Sequence, residues 1–239
     1  MVKLVQGVRV DDELCLYLVA NGLKPASIIE INPMFFDKGY KIKKVERGFE
    51  IYEDEDIRIK KEHVDDFLKF LKDNELNFVP ISAKMYDTLN EDNQPIKYES
   101  MTFNVGKNKP SLAKLVDANE KKEIGLALGY PQEAVDAFTK IIDGERIDGY
   151  YILVNLAKAK QAGLEIPTWL AYINFIPERM DIVGGNISPT AKFIGLERQA
   201  YVRVNNPDLA NRVESCFLNK KLPKSWQKAR DSGYDINFF

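Results

Sequence analysis

Glu123-Ile-Gly-Leu-Ala-Leu-Gly-Tyr-Pro131 is the stretch that decides how this chain folds. Two glycines four residues apart interrupt an apolar run, and a proline closes it. Glycine takes the positive φ of a tight inter-helix turn without steric cost. Proline lacks the N–H that a first helical turn would leave unsatisfied, so Pro131 suits a first helical position. A helix is therefore expected on each side, over residues 120–128 and 131–142. In the second, Val135, Phe138, Ile141 and Ile142 form one apolar face.

Toward the C-terminus the helical character continues. Residues 111–118 read as a short helix with Ser111 as N-cap. Residues 149–161 read as another, stopped by Gly163. Residues 206–218 start at Asn206-Pro207 and turn Leu209, Val213, Cys216 and Phe217 inward. Toward the N-terminus the pattern is mixed. Residues 11–21 suit a helix with Asp11 as N-cap and Gly22 past its end, and residues 27–32 suit a strand. The alternating segments 41–45, 48–52 and 56–59, with charged turns between them, form a small antiparallel meander. Val64, Phe67, Leu68 and Leu71 then mark a helix at i, i+3, i+4, i+7. A loop at 92–95, a strand over 98–105 and the Gly106-Lys-Asn-Lys-Pro110 linker complete this half. The expected class is α+β. Residues 1–108 form a region with a small antiparallel β meander plus helices, and residues 109–239 a mainly helical region, with one continuous domain as the alternative.

The joint at 123–131 has a further physical reading. Gly125 is the small residue where a second helix crosses the first, Gly129 makes the turn, and Val135 plugs the core between them. Residues 123–142 thereby resemble a DNA-binding helix–turn–helix, over about one-tenth of the chain. The resemblance implies a nucleic-acid-binding regulator. Charge argues the other way. The early exposed positions of the second helix are Gln132, Glu133 and Asp136, and carboxylates facing phosphates repel them. A second nucleic-acid hint is the C-terminal run from Lys220 to Arg230, where cations flank Trp226; its plainer reading is a solvated, charged face.

Composition narrows the chemistry. The 239 residues carry 34 basic and 36 acidic side chains, so no global charge draws the chain to nucleic acid or anionic lipid. One histidine, His63, leaves no multi-histidine zinc site, and any histidine-based triad would have to use it. At the charged start of its helix, His63 reads as a solvated side chain. The cysteines, Cys15 and Cys216, are too far apart in sequence for a secreted disulfide framework, and Cys216 is expected in the core. No Walker loop, dinucleotide fingerprint or EF-hand loop occurs. The expectation is a cytoplasmic protein with no leader, no membrane span, no metal and no cofactor.

One segment has the make-up of a binding site. Pro167-Thr-Trp-Leu-Ala-Tyr-Ile-Asn-Phe-Ile-Pro177 is aromatic and apolar, and Gly184-Gly-Asn-Ile-Ser188 follows it. Apolar walls with a few polar groups on flexible backbone suit a small-molecule pocket. The candidate ligand-binding residues are Trp169, Tyr172, Asn174, Glu178, Arg179, Asp181, Asn186 and Ser188. The first functional expectation is a protein binding an unidentified small molecule here, whether or not it catalyses a reaction. The alternatives are the nucleic-acid-binding regulator and a non-catalytic assembly or adaptor protein, with self-association open. The bland reading of the same residues is a core segment followed by a turn.

Taken together, the 123–131 joint, the Thr-Trp-Leu-Ala-Tyr-Ile run, the Gly185-Asn-Ile-Ser188 turn and the Asn206-Pro-Asp-Leu-Ala210 helix start resemble a group of uncharacterised archaeal conserved-hypothetical proteins. The resemblance covers most of the C-terminal half. It implies an archaeal, cytosolic origin and transfers no catalytic residue.

Overall fold

Two long strands, Asn77–Leu89 and Pro95–Gly106, carry the N-terminal architecture. The computed structural model describes residues 8–32, 43–45, 48–50, 59, 61–89, 95–142 and 150–220. In chain order its first elements are α1 (Val10–Ala20), β1 (Ala26–Ile31), β2 (Lys43–Val45), β3 (Gly48–Glu50), α2 (Lys61–Asp73), β4 (Asn77–Leu89), β5 (Pro95–Gly106) and α3 (Lys109–Asp117). Then come α4 (Lys121–Ala127), α5 (Gln132–Ile142), α6 (Tyr150–Gln161), a 3-10 helix (Thr168–Tyr172), β6 (Met180–Asp181), β7 (Asn186–Ile187), α7 (Pro189–Asn205) and α8 (Pro207–Leu218). The class is α+β. The chain divides into two compact units, Met1–Asn119 with Ala127–Gly129, and Glu120–Leu126 with Tyr130–Phe239.

The first unit is built on an antiparallel sheet of order β1-β5-β4. The register sets Ile29 opposite Phe103 and Ser27 opposite Val105, so these side chains share the inner face. Leu16 and Val19 of α1 and Phe67 and Leu71 of α2 pack against that face. The rings of Phe67 and Phe103 meet at 5.1 Å. β2 and β3 pair antiparallel, as the alternation in the sequence suggests. The third expected meander strand, at 56–59, lies outside the described residues apart from Ile59. No strand is evident in sequence over residues 77–89, because Phe78-Val-Pro-Ile81 does not alternate and Pro80 breaks the run. The structure resolves the conflict by making β4 an edge strand and placing a register shift between Pro80 and Ser82.

Helix ends in both units follow one rule. Gly22 (φ +74°) and Gly163 (φ +69°) end α1 and α6 in the left-handed region. In each case the next amide reaches back five residues, Leu23 N–H to Leu18 O and Leu164 N–H to Ala159 O. Glu75 ends α2 in the same geometry at φ 55°, with Leu76 N–H donating to Leu71 O, although it is not glycine. Helix starts differ from expectation at two places. Asn108, not Ser111, caps α3, and accepts from Ser111 N–H. α1 has no side-chain cap at Arg9; Asp11, Asp12 and Glu13 crowd its first turn instead. The linker expected at 106–110 is a tight corner. A Cβ on Gly106 would lie 2.8 Å from the Leu112 amide, so α3 packs directly on the sheet.

The second unit is helical around a core of Leu156, Ile166, Trp169, Leu170, Ile173, Phe175, Met180 and Phe217. Two glycines allow its closest approaches. A Cβ on Gly125 would stand 2.9 Å from Val135 Cγ2, so α4 and α5 touch where a small residue is required. A Cβ on Gly195 would stand 2.5 Å from Trp169 Cε3, so α7 presses its backbone on the indole. Asn206 caps α8 by accepting from Leu209 N–H, as its sequence indicates. Cys216 corrects the expectation of a core thiol. The buried arc of α8 runs through Leu209, Ala210, Val213 and Phe217, and Cys216 falls on its exposed side. Among the described residues, no helix is long and apolar enough to cross a membrane.

Candidate functional site

The eight residues singled out in the sequence occupy three settings. Trp169 and Tyr172 lie on the 3-10 helix, buried in the core of the second unit. Asn174, just beyond it, accepts from Arg198 Nη1 at 2.8 Å. Ser188 is buried at the start of α7, where its Oγ accepts from Ala191 N–H and donates to Glu133 Oε1. Asp181 and Asn186 pair across the β6–β7 hairpin, where Gly184 N–H donates to Asp181 Oδ1 at 2.9 Å. Glu178 and Arg179 precede the hairpin, exposed and 3.7 Å apart. Tyr172 and Asn174 are thus brought together around Arg198; Ser188 meets α5 instead, and the hairpin residues face solvent.

What joins Tyr172 to its surroundings is α7, which buries two polar side chains and exposes several apolar ones. Its buried face carries Ala191, Gly195, Arg198, Gln199 and Val202. Arg198 is 5% exposed, and its Nη1 also donates to Tyr172 O at 3.2 Å. Gln199 Nε2 donates to Thr168 Oγ1 at 2.8 Å and to Glu214 Oε1 at 3.1 Å. Glu214 of α8 further accepts from Tyr172 Oη at 2.9 Å and from Arg203 Nε and Nη2, both at 2.8 Å. These bonds satisfy the polar groups that α7 takes out of water. The Arg203 hydrogen bond holds the Glu214 carboxyl below its ordinary range, against the opposing effect of burial. Burial, then the Glu214 hydrogen bond, pushes the Tyr172 phenol above its ordinary value. A carboxylate held ionised and a phenol held protonated, each spent on internal partners, make a clasp between α7, α8 and the 3-10 helix.

The outer face of α7 carries an apolar stripe between charged flanks. Phe193 is 68% exposed, Leu196 44% and Val204 80%, and Ala200 between them is exposed. At 3.6 residues per turn these four side chains fall within an arc of about 80°. They form one stripe along the helix rather than scattered apolar residues. No sequence reading singled out this stripe. Apolar residues stand on both faces of α7, so the 3.6-residue period that marks an amphipathic helix is absent. The available signals were Ser188-Pro189 at the start and Asn206-Pro207 after the end.

A second polar cluster lies in the first unit. Arg9 Nε is 3.4 Å from Asp12 Oδ2, and Arg9 Nη2 is 3.7 Å from Glu30 Oε2. Ser100 Oγ donates to Glu30 Oε1 at 2.6 Å. Burial pushes the Asp12 carboxyl up to about 6, only partly offset by Arg9. His63 sits in the first turn of α2 with its Nε2 4.0 Å from Glu62 Oε1. Among the described residues, no group of three His, Cys, Asp or Glu side chains is placed to hold a metal ion. No protein-family model, curated protein or solved structure matches the chain.

Proposed function

We propose that this is a non-catalytic assembly protein whose C-terminal unit binds a protein partner through the exposed face of α7. The observation that carries this reading is the exposed apolar stripe of Phe193, Leu196, Ala200 and Val204 on a helix that buries Arg198 and Gln199. Isolated exposed apolar side chains need no explanation, but a continuous stripe does. Together the four residues present roughly 300 Å² of apolar surface, in the range of the largest patch on a monomer, which is often functional. The internal clasp fixes the orientation of α7, so the stripe is presented on a rigid element, as a recognition surface requires.

The same bonds weigh against the two other readings. Tyr172 and Ser188 donate to Glu214 and Glu133, and Asn174 accepts from Arg198, so these groups offer little to a small molecule. In the first turn of α5, Gln132 donates to Asp136 and Lys122 pairs with Asp136 at 3.1 Å, so these groups serve helix packing rather than a nucleic-acid groove. The setting we propose is the cytoplasm, consistent with two cysteines that are not joined in a disulfide.

Sedimentation velocity tests the reading, using the full chain and a Phe193→Glu, Val204→Glu double variant, purified and in extract of the source cells. Both substitutions lie on the outer face and leave the clasp intact. The wild type should sediment in a species heavier than the 27.4 kDa chain in at least one setting, and the variant as the free chain in both. A wild type that runs as the free chain in both settings overturns the reading.

A further inference from the structure

We infer that the partner of the α7 stripe is a second copy of this chain, its α7 lying parallel to the first about a two-fold axis. This rests on the reading of α7 as a contact surface and adds the identity of the occupant. Phe193 and Ala200 stand seven residues apart with Leu196 between them, the a-d-a spacing of a two-stranded helical seam. In that frame Lys192 precedes the first seam position and Glu197 follows the second. They lie on opposite flanks of the stripe, five residues apart.

This is the placement at which two parallel helices exchange ion pairs, the Lys of each chain meeting the Glu of the other. An antiparallel pair brings like flanks together and forms neither bond. Lys192 and Glu197 are exposed, and neither side chain enters a hydrogen bond or ion pair among the described residues. Arg203 stands at the next seam position, but its guanidinium is turned to Glu214 and so does not place a free charge there. The face is therefore complementary to itself in apolar spacing and in charge.

The size of the seam sets its strength. Two stripes bury about 600 Å² in all, below the roughly 1,200 Å² of a standard stable interface. The dimer is therefore of the weak, concentration-dependent kind. Two-fold symmetry doubles every contact, so one substitution acts twice.

The test uses sedimentation equilibrium on the purified full chain and three variants, with thermal melts to show that each variant folds. The wild-type mass should rise with concentration from 27.4 kDa toward twice that value. Phe193→Glu should hold it at the monomer. Lys192→Glu and Glu197→Lys should each weaken self-association about tenfold, because each turns two attractive pairs into repulsive ones. An equimolar mixture of these two variants should regain wild-type association, since only the heterodimer has both attractive pairs.

A mixture no tighter than its components overturns the parallel pairing. A wild type that stays monomeric at every concentration overturns the second-copy inference. The contact reading then survives only if the extract experiment shows a heavier species that Phe193→Glu with Val204→Glu removes. A dimer that Phe193→Glu leaves intact overturns both.

Discussion

Arg203 and Glu214 meet in a two-point bond, with Nε and Nη2 each 2.8 Å from a different carboxylate oxygen. Gln199 and Tyr172 complete the coordination of that carboxylate from the buried side. The pair fastens α8 to α7 from the edge of the buried face, beside the bonds of Arg198 and Gln199. Glu214→Gln keeps the shape and removes the charge. Its cost should be about 1–2 kcal/mol in urea unfolding at neutral pH, in the range of charged hydrogen bonds discounted for the half-exposed Arg203. An unchanged midpoint would mean that the clasp contributes nothing to stability.

The same carboxylate makes a pH prediction. Its folded pKa lies below the ordinary 4.5, chiefly through Arg203. A depressed acid stabilises the fold above its unfolded pKa, and that contribution disappears as pH falls through the folded value. The stability gap between wild type and Glu214→Gln should therefore narrow as the pH drops below 4.5. Paired denaturant titrations across that window check it; a gap that widens would contradict the assignment.

Asp12 predicts the opposite sign. Burial raises its carboxyl from 3.8 to about 6, so the folded state holds a proton more tightly than the unfolded one. Its stabilising effect is full below 3.8 and is lost as pH rises through about 6. Asp12→Asn should then raise stability at neutral pH, on the order of 1–3 kcal/mol, because each pKa unit corresponds to 1.36 kcal/mol. The gain should fade toward pH 4 by chemical denaturation; a loss at neutral pH would show that the Arg9 contact outweighs burial.

How much of this was legible in sequence depended on whether one physical signal dominated locally. α2 was readable because Val64, Phe67, Leu68 and Leu71 lie on one face, and α8 because Asn206-Pro207 marks its start. β4 was hidden by Pro80, which a central strand would exclude but an edge strand with a register shift accepts. α7 was hidden because apolar residues stand on both of its faces and its inner face also carries Arg198 and Gln199. The aromatic run at 167–177 was legible as apolar. Its burial depends on Gly195, some 20 residues on, letting α7 close over Trp169. Long-range approaches of that kind leave no local pattern.

Two backbone positions provide sharp tests of the packing. Glu75 holds a left-handed conformation, at φ 55°, that glycine adopts without strain. Glu75→Gly should stabilise the first unit by about 0.5–1 kcal/mol, read as a higher denaturation midpoint. Gly195→Ala should do the reverse in the second unit, because the added methyl group meets Trp169 Cε3 at 2.5 Å and its carbonyl oxygen at 2.8 Å. A cost of about 1–3 kcal/mol is expected for overpacking of this kind, together with a change in Trp fluorescence. An Ala variant as stable as wild type would show that α7 does not press on Trp169.

The most direct test of the contact surface is a photo-crosslinking side chain placed at position 193 in the living source cell, with position 208 as an exposed control on α8. Irradiation should give an adduct from position 193 with twice the mass of the 27.4 kDa chain, and none from position 208. No adduct at 193, or equal adducts at both positions, would contradict the claim that the outer face of α7 is where this protein meets its partner.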